Sequence, residues 1–370
     1  MSVHTLTVCT ERMIDIYGSI TQYMGTAYTG RGISHKYDKL IASAAETIFL
    51  KCPPTNALSD VLNETAMYFV KRGLDVDKFM DPVQIEQTHA VYVKGPNLFY
   101  LQASHPVSLE PTDIGGRHRV ISFYDMYNET ELREQNQFIV EKLAESEKAL
   151  DKALQSLADG KNIHDDWEKV NIARMQWQLH EELIASLKEE LFGTIELNKE
   201  ASVSHRLIGS LSSDGAYDFI PSITKRLNRR ILIKGLAGTG KSTLMKSLGA
   251  EGEKRGFDVL YGWCGLDPSG VDLVLFPELS VCFLDATQPH AYDPERPGDE
   301  VLDLVHMCKE DADAEEKVVA IRDTYKEKML DAAGYMQSYA QALNSLRVAM
   351  DSAINPSIFK EKSERLIELS

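Results

Sequence analysis

A chain of 370 residues is long for one core and comfortable for two domains of ordinary size. Its 56 acidic against 40 basic residues give a formal charge of −16, which repels nucleic-acid phosphate and anionic lipid and argues against broad binding to either. No apolar stretch approaches the roughly 18 residues needed to span a bilayer, and Met1 to Thr10 lacks the charged and apolar regions of a secretion signal, so a soluble, cytoplasmic protein is expected.

Along the chain, the run Ile48-Phe49-Leu50-Lys51 reads as a strand and is followed by Cys52-Pro53-Pro54-Thr55-Asn56-Ala57-Leu58-Ser59. From Glu131 to Leu157 the residues Phe138, Leu143, Leu150, Leu154 and Leu157 keep helical spacing. Asp159-Gly160 reads as a break, with a second amphipathic helix from about His164 to Leu191. Such stripes usually pack as core; here they are also candidates for a lever or a partner-binding face. Next come a strand near Arg206 to Leu211, a turn at Ser212-Ser213-Asp214-Gly215, and a helix around Tyr217 to Leu227 that Asp214 would cap.

Ile231-Leu232-Ile233 then leads into Gly235-Leu236-Ala237-Gly238-Thr239-Gly240-Lys241-Ser242, the pattern G-x-x-x-x-G-K-S, followed by Thr243 and a helix to Arg255 that stops at Gly256. Strand, glycine turn and helix N-terminus together aim backbone N–H groups and a positive dipole end at one anion, which defines a phosphate-binding P-loop. Residues Gly235 through Thr243 are the expected nucleotide contacts, with Lys241 reaching the β- and γ-phosphates and Ser242 giving its hydroxyl to Mg2+. Asp258 to Trp263, Val271 to Phe276 and Val281 to Leu284 read as further strands. Asp285 ends the last of them in the Walker B manner and is the second expected metal residue.

Ala286 stands where many ATPases place a water-polarising glutamate, which leaves the catalytic base open among Asp267, Glu278, Thr287 and His290, with His290 first. Arg296, or Arg117 and Arg119 from the N-terminal part, are candidate arginine fingers; without one, turnover would be slow, on the order of 10⁻⁴ to 10⁻² per second. No N-K-x-D guanine reader follows the loop, so ATP is the favoured nucleotide, and Tyr261, Trp263 and Tyr292 are candidates to stack on the base. After His290 no strand is expected. Glu315 to Met350 is a second amphipathic arm, broken at Asn355-Pro356 before a last helix near Phe359 to Leu369. The cysteines Cys9, Cys52, Cys264, Cys282 and Cys308 form no C-x-x-C pair, and buried thiols are expected, Cys282 above all.

The chain matches itself at a displacement of 183 residues. Ile48 to Lys51 falls on Ile231 to Lys234 (234 − 51 = 183), Lys71 to Val76 on Lys254 to Val259, and Leu101, Ala103, Pro106 and Pro111 on Leu284, Ala286, Pro289 and Pro294. In the first copy Cys52 and Ala57 replace loop glycines, Pro53 and Pro54 lack N–H donors, Leu58 stands for the lysine and Gln102 for Asp285. Only Ser59 survives, which implies one live nucleotide site per chain.

The expected architecture is α/β, tandem P-loop NTPase-like repeats with a mainly parallel sheet covered by helices, each followed by a long helical hairpin. Residues 1–200 form the degenerate repeat (core about 1–128, arm 129–195) and residues 201–370 the active one (core about 201–310, arm 311–370). On Lys234 to Thr243, Asp285 to His290, the repeat, and His164-Asp165-Asp166-Trp167-Glu168, the chain resembles a family of uncharacterised bacterial tandem P-loop ATPases seen mainly in Gram-positive spore formers. The resemblance covers nearly the whole length and implies the fold and ATP binding. In that family both repeats commonly carry P-loops, a pattern from which this first repeat departs.

The expected function is a Mg2+-dependent ATPase of the molecular-switch kind, with Lys241, Asp285 and His290 as catalytic residues. A small-molecule kinase is the alternative from another class, although Gln288 to Asp299 offers only Arg296 toward an arginine-rich lid. A non-catalytic ATP-binding adaptor is the third.

Overall fold

The computed structural model describes residues 17–368; the reading of Met1 to Thr10 and Cys9 lie outside the described residues. In the first half come β1 (Ile20–Met24), the hairpin β2 (Thr26–Thr29) and β3 (Gly32–His35), α1 (Asp38–Ser43), β4 (Glu46–Lys51), α2 (Ala57–Val70), β5 (Val76–Met80), β6 (Thr88–Val93), β7 (Leu98–Gln102) and β8 (His118–Ser122), then the arm α3 (Glu129–Glu134), α4 (Asn136–Arg174) and α5 (Trp177–Phe192). The second half repeats the order with β9 (Val203–Leu207), β10 (Gly209–Ser212), β11 (Gly215–Asp218), α6 (Ile220–Ile223), β12 (Arg229–Lys234), α7 (Lys241–Lys254), β13 (Val259–Trp263), β14 (Val271–Phe276), β15 (Val281–Asp285) and β16 (Asp299–Asp303), then α8 (Ala312–Ser352) and α9 (Pro356–Glu368). Strands β1, β4, β5, β6 and β7 start at residues 20, 46, 76, 88 and 98, and their counterparts start 183 residues later at 203, 229, 259, 271 and 281.

The main strands form one 12-stranded sheet, β16-β12-β15-β14-β13-β9-β1-β5-β6-β7-β4-β8. Within each half five of six strands run the same way, with β6 and β14 reversed. The halves meet where β1 lies antiparallel to β9 with Met24 opposite Leu207, and 207 − 24 = 183. Repeat-equivalent residues facing each other across an antiparallel pair define a local two-fold axis normal to the sheet. The strand ends that carry loops in one half therefore lie on the edge opposite those of the other half.

Apolar runs such as Thr47–Leu50 and Val281–Leu284 are buried throughout, as expected for strands covered on both faces. On one face α1 and α6 cover a core that crosses both halves, with Phe49, Phe79 and Phe99 beside Leu232, Leu273 and Leu284. On the other, α2 and α7 cover separate cores. The outer strands β8 and β16 carry Arg117 and Arg119 nearby or within, and Asp299, Glu300 and Asp303, respectively; charge on a free edge discourages further strand pairing.

The arms are exchanged between halves. α4, about 58 Å long at 1.5 Å per residue, lies antiparallel to α8, with Gln135 bonded to Ser352 at one end and Arg174 to Glu315 at the other. It carries α5 onto the second half, where Ile184, Leu187 and Phe192 join Ile231, Leu244 and Phe283 in one core. Conversely, Met336, Tyr339, Leu343 and Leu346 of α8 pack on the first half with Leu58, Leu62 and Tyr100.

Several expectations are corrected. Asp159-Gly160 does not break α4: Gly160 faces Met329 of α8, and the break falls at Met175 and Gln176, where Met175 bridges to Cys308 and Gln176 N–H donates to Met307 O. Asp214 caps no helix, since Gly215–Asp218 is a strand and the helix is the short Ile220–Ile223, whose Ile220 N–H donates to Asp218. A strand does follow His290, the edge strand β16. The described cysteines are free, and Cys282 is buried. Among the described residues no helix is long and apolar enough to cross a membrane.

Candidate functional site

Between β12 and α7 the loop turns sharply at Gly238 and Gly240, with φ of 79° and 82°. Gly238 lies outside the G-x-x-x-x-G-K-S glycines, yet a Cβ there would sit 2.6 Å from Glu168 O in addition to the positive φ. α7 starts without a side-chain cap. The N–H groups of its first turn have no intrahelical acceptor, and the positive dipole end faces the loop.

Lys241 stretches across the loop, its Nζ donating to Gly235 O at 2.5 Å and Leu236 O at 3.1 Å and lying 3.4 Å from Asp285 Oδ2. Asp285 Oδ1 accepts from Thr287 N–H at 2.8 Å. Burial raises the Asp285 pKa above the ordinary carboxylate value, while Lys241 pulls the other way. Thr287 donates its hydroxyl to Gly235 O at 2.9 Å and accepts Gly235 N–H at 3.1 Å. Ser242 Oγ accepts Val271 N–H at 3.0 Å, which fixes α7 to the start of β14.

The loop's outer side rests on the exchanged arm. Asn171 of α4 donates to Ala237 O at 2.7 Å, and His180 of α5 lies 3.2 Å from Gly240 O. One to two turns earlier on α4, His164, Asp165 and Glu168 offer three ligand atoms within 4.8 Å of one another. Lys161 already pairs with Asp165 and with Asp267.

His290 does not fit the role of base. Its Nδ1 lies 2.8 Å from Asp218 and its Nε2 3.4 Å from Asp272. Burial would lower its pKa, but the two carboxylates override burial and push it up to about 10. An imidazolium with both nitrogens donating has no lone pair for a proton. Tyr292 completes this cluster, donating to Asp218 at 2.6 Å, so it is a structural residue. Tyr261 is likewise engaged, with Glu253 and against His205. Trp263 donates to His205 and lies under Lys36 at the junction of the halves.

Other candidates fall away on position. Glu278 accepts Asp258 N–H and pairs with Lys199 in the β14–β15 turn, at the sheet edge opposite the loop. Arg296 donates to Thr224 O and lies near Asp299, at the end of β12 remote from the loop. Arg117 and Arg119 belong to the β8 side, ten strand positions from β12, or roughly 48 Å at 4.8 Å per strand. They cannot serve this loop within one chain.

No family model, curated protein or solved structure matches this chain. The repeat therefore supplies the comparison. Cys52 N–H donates to Ser104 as Gly235 N–H donates to Thr287, and Thr88 N–H donates to Ser59 as Val271 N–H donates to Ser242. The surviving serine is thus a packing link common to both halves. Charge is what differs: Leu58, Gln102, His89, His35 and Val107 stand at the positions of Lys241, Asp285, Asp272, Asp218 and His290. In the first half Asp351 of α8 instead bonds Thr55 Oγ1 and accepts Asn56 N–H at 3.0 Å, placing a carboxylate beside the start of α2.

Sequence reading missed Asp272, Asp218, Asn171, His180 and Asp351. Asp272 had a signal, a carboxylate inside the apolar run Val271 to Phe276 that falls on a histidine in the first copy. The arm residues had none, because their place depends on the exchange.

Proposed function

We propose that the protein binds ATP with Mg2+ at Gly235 to Thr243 and hydrolyses it slowly, as a nucleotide-driven switch built from tandem P-loop repeats of which only the second is live. The observation that carries this reading is the convergence of an uncapped α7 N-terminus, two left-handed glycines and the Lys241–Asp285 pair on one strand edge. The hydroxyl of Ser242 and the carboxylate of Asp285 are oxygen ligands of the kind Mg2+ takes, and they fit a metal bound alongside phosphate. Lys241 would exchange its carbonyl partners for β- and γ-phosphate oxygens.

The arm gives the switch its moving part. Asn171 and His180 touch the loop at Ala237 and Gly240, so a change in loop geometry on binding reaches α4 and α5 directly. Kinase chemistry draws little support, since Arg296 is held at the far edge and supplies no lid. The test is phosphate release from ATP with Mg2+ by the wild type and Lys241→Ala, paired with calorimetry. Turnover and binding both lost in the variant are expected; unchanged turnover in the variant would refute the reading. Binding without turnover would leave the adaptor.

A further inference from the structure

We infer that Asp272 is the carboxylate that positions the attacking water at this site, an inference that rests on the ATPase reading. The register of β14 against β15 pairs Leu273 with Leu284, and both belong to the core under α1 and α6. At the next residue β14 bulges, with Gly262 paired to Leu273 and Trp263 to Val271, so Asp272 is the unpaired residue of the bulge, at the strand end that carries Asp285 and close enough to raise that carboxyl's pKa. Val271 N–H, next to Asp272, is bonded to Ser242. One edge of the sheet thus brings together the lysine, the serine and two carboxylates.

A second carboxylate beside the buried Asp285 is unfavourable, and Asp272 adds to burial in raising the Asp285 pKa. The first half avoids it, with His89 and Gln102 at these two positions; burial, first among its causes, lowers the His89 pKa to about 4, so that ring is neutral at pH 7. Both carboxylates are missing from the half that has lost its lysine and glycines, while the packing links Ser59 and Ser104 remain. Asp272 therefore goes with the phosphate chemistry and not with the fold.

The residues nearby leave the role to Asp272. His290 has both ring nitrogens against carboxylates, Thr287 is bonded to Gly235, and Asp267 is tied to Ser269 and Lys161. His290, itself held by Asp218, lies 3.4 Å from the Asp272 carboxylate and pairs with it. In the step, the water oxygen bonds to the γ-phosphorus, the bond from that phosphorus to the β–γ bridging oxygen breaks, and ADP leaves with its electron pair. The water proton passes to Asp272 and then to the phosphate product.

The experiment compares the wild type, D272N, D272E, H290N and E278Q in ATP hydrolysis with Mg2+, in binding of a fluorescent ATP analogue and in thermal melting. D272N is expected to lower kcat at least 100-fold, in the range of about 10²–10⁴ for lost acid–base assistance, with analogue affinity within threefold. D272E, which keeps the charge, should regain part of the rate, H290N should lose less than D272N, and E278Q should match the wild type. D272N or, if it melts early, D272E turning over like E278Q would overturn the inference and leave the ATPase reading standing. A wild type that binds without hydrolysis overturns the inference alone, and one that does neither overturns both.

Discussion

Lys51 and Lys234 each reach a carbonyl and a carboxylate at repeat-equivalent positions, Leu109 and Glu110 in one case and Tyr292 and Asp293 in the other. Lys241 has only Leu58 as its counterpart, so the two lysines beside the loop differ: Lys234 ties down the 286–293 segment, and Lys241, bonded to Gly235 and Leu236 within the loop, is the one proposed to meet phosphate. At Asp285 stability and function oppose each other. Its pKa is raised in the folded state, so the carboxylate costs stability at neutral pH, and the favourable contribution exists only at pH low enough to protonate it. Asp285→Asn is expected to raise the melting temperature at pH 7 while abolishing metal-dependent turnover; a lower melting temperature would contradict this account of the charge. His290 has the opposite sense. Its folded value of about 10 lies above the ordinary histidine value of about 6.5, so the stability from its carboxylates is complete below about pH 6.5 and is lost as pH rises toward 10. Denaturant unfolding between pH 7 and 10 should show the wild type losing more stability than His290→Asn, and parallel losses would mean the imidazolium is not held as described.

Among the elements, α7, β12, β13, β14 and β15 were legible because each is a continuous apolar or amphipathic run bounded by glycine or charge. β16 was not, since Asp299-Glu300-Val301-Leu302-Asp303 is an acidic strand that, among the described residues, pairs with β12 at the sheet edge, and its pairing supplies what its propensity lacks. The break in α4 was placed at Gly160 because glycine is a weak helix former. Packing against α8 outweighs that preference, and the real break at Met175 comes from tertiary bonds that no local pattern announces. The exchanged arms meet the two loops in matching ways, Asn171 on Ala237 and Asp351 on Thr55 and Asn56. Asp351→Ala removes acceptors beside the start of α2 and should cost about 1 kcal/mol, read by denaturant unfolding, with the nucleotide site intact. Asn171→Ala should instead alter nucleotide affinity; an affinity equal to wild type would detach the arm from the switch.

Across the whole molecule, the repeated order of elements could be read from the sequence, because a displacement of 183 residues preserves strands, helices and prolines together. The arrangement of the halves could not. A two-fold axis at Met24 and Leu207 and the exchange of arms are tertiary facts, and they put Arg117 and Arg119 far from the loop they were candidates to serve. The same arrangement gives the first half a definite task. It supplies, through α4 and α5, the surface on which the Gly235–Ser242 loop rests, while α8 fills the corresponding place on the first half. Asymmetry of charge inside near-symmetry of fold is the central claim, and it fixes a stoichiometry. Titration calorimetry of the wild type and of Lys241→Ala with a non-hydrolysable ATP analogue and Mg2+ measures it directly. One nucleotide per wild-type chain and none for the variant is the predicted result; two per chain, or binding that persists in Lys241→Ala, would contradict it.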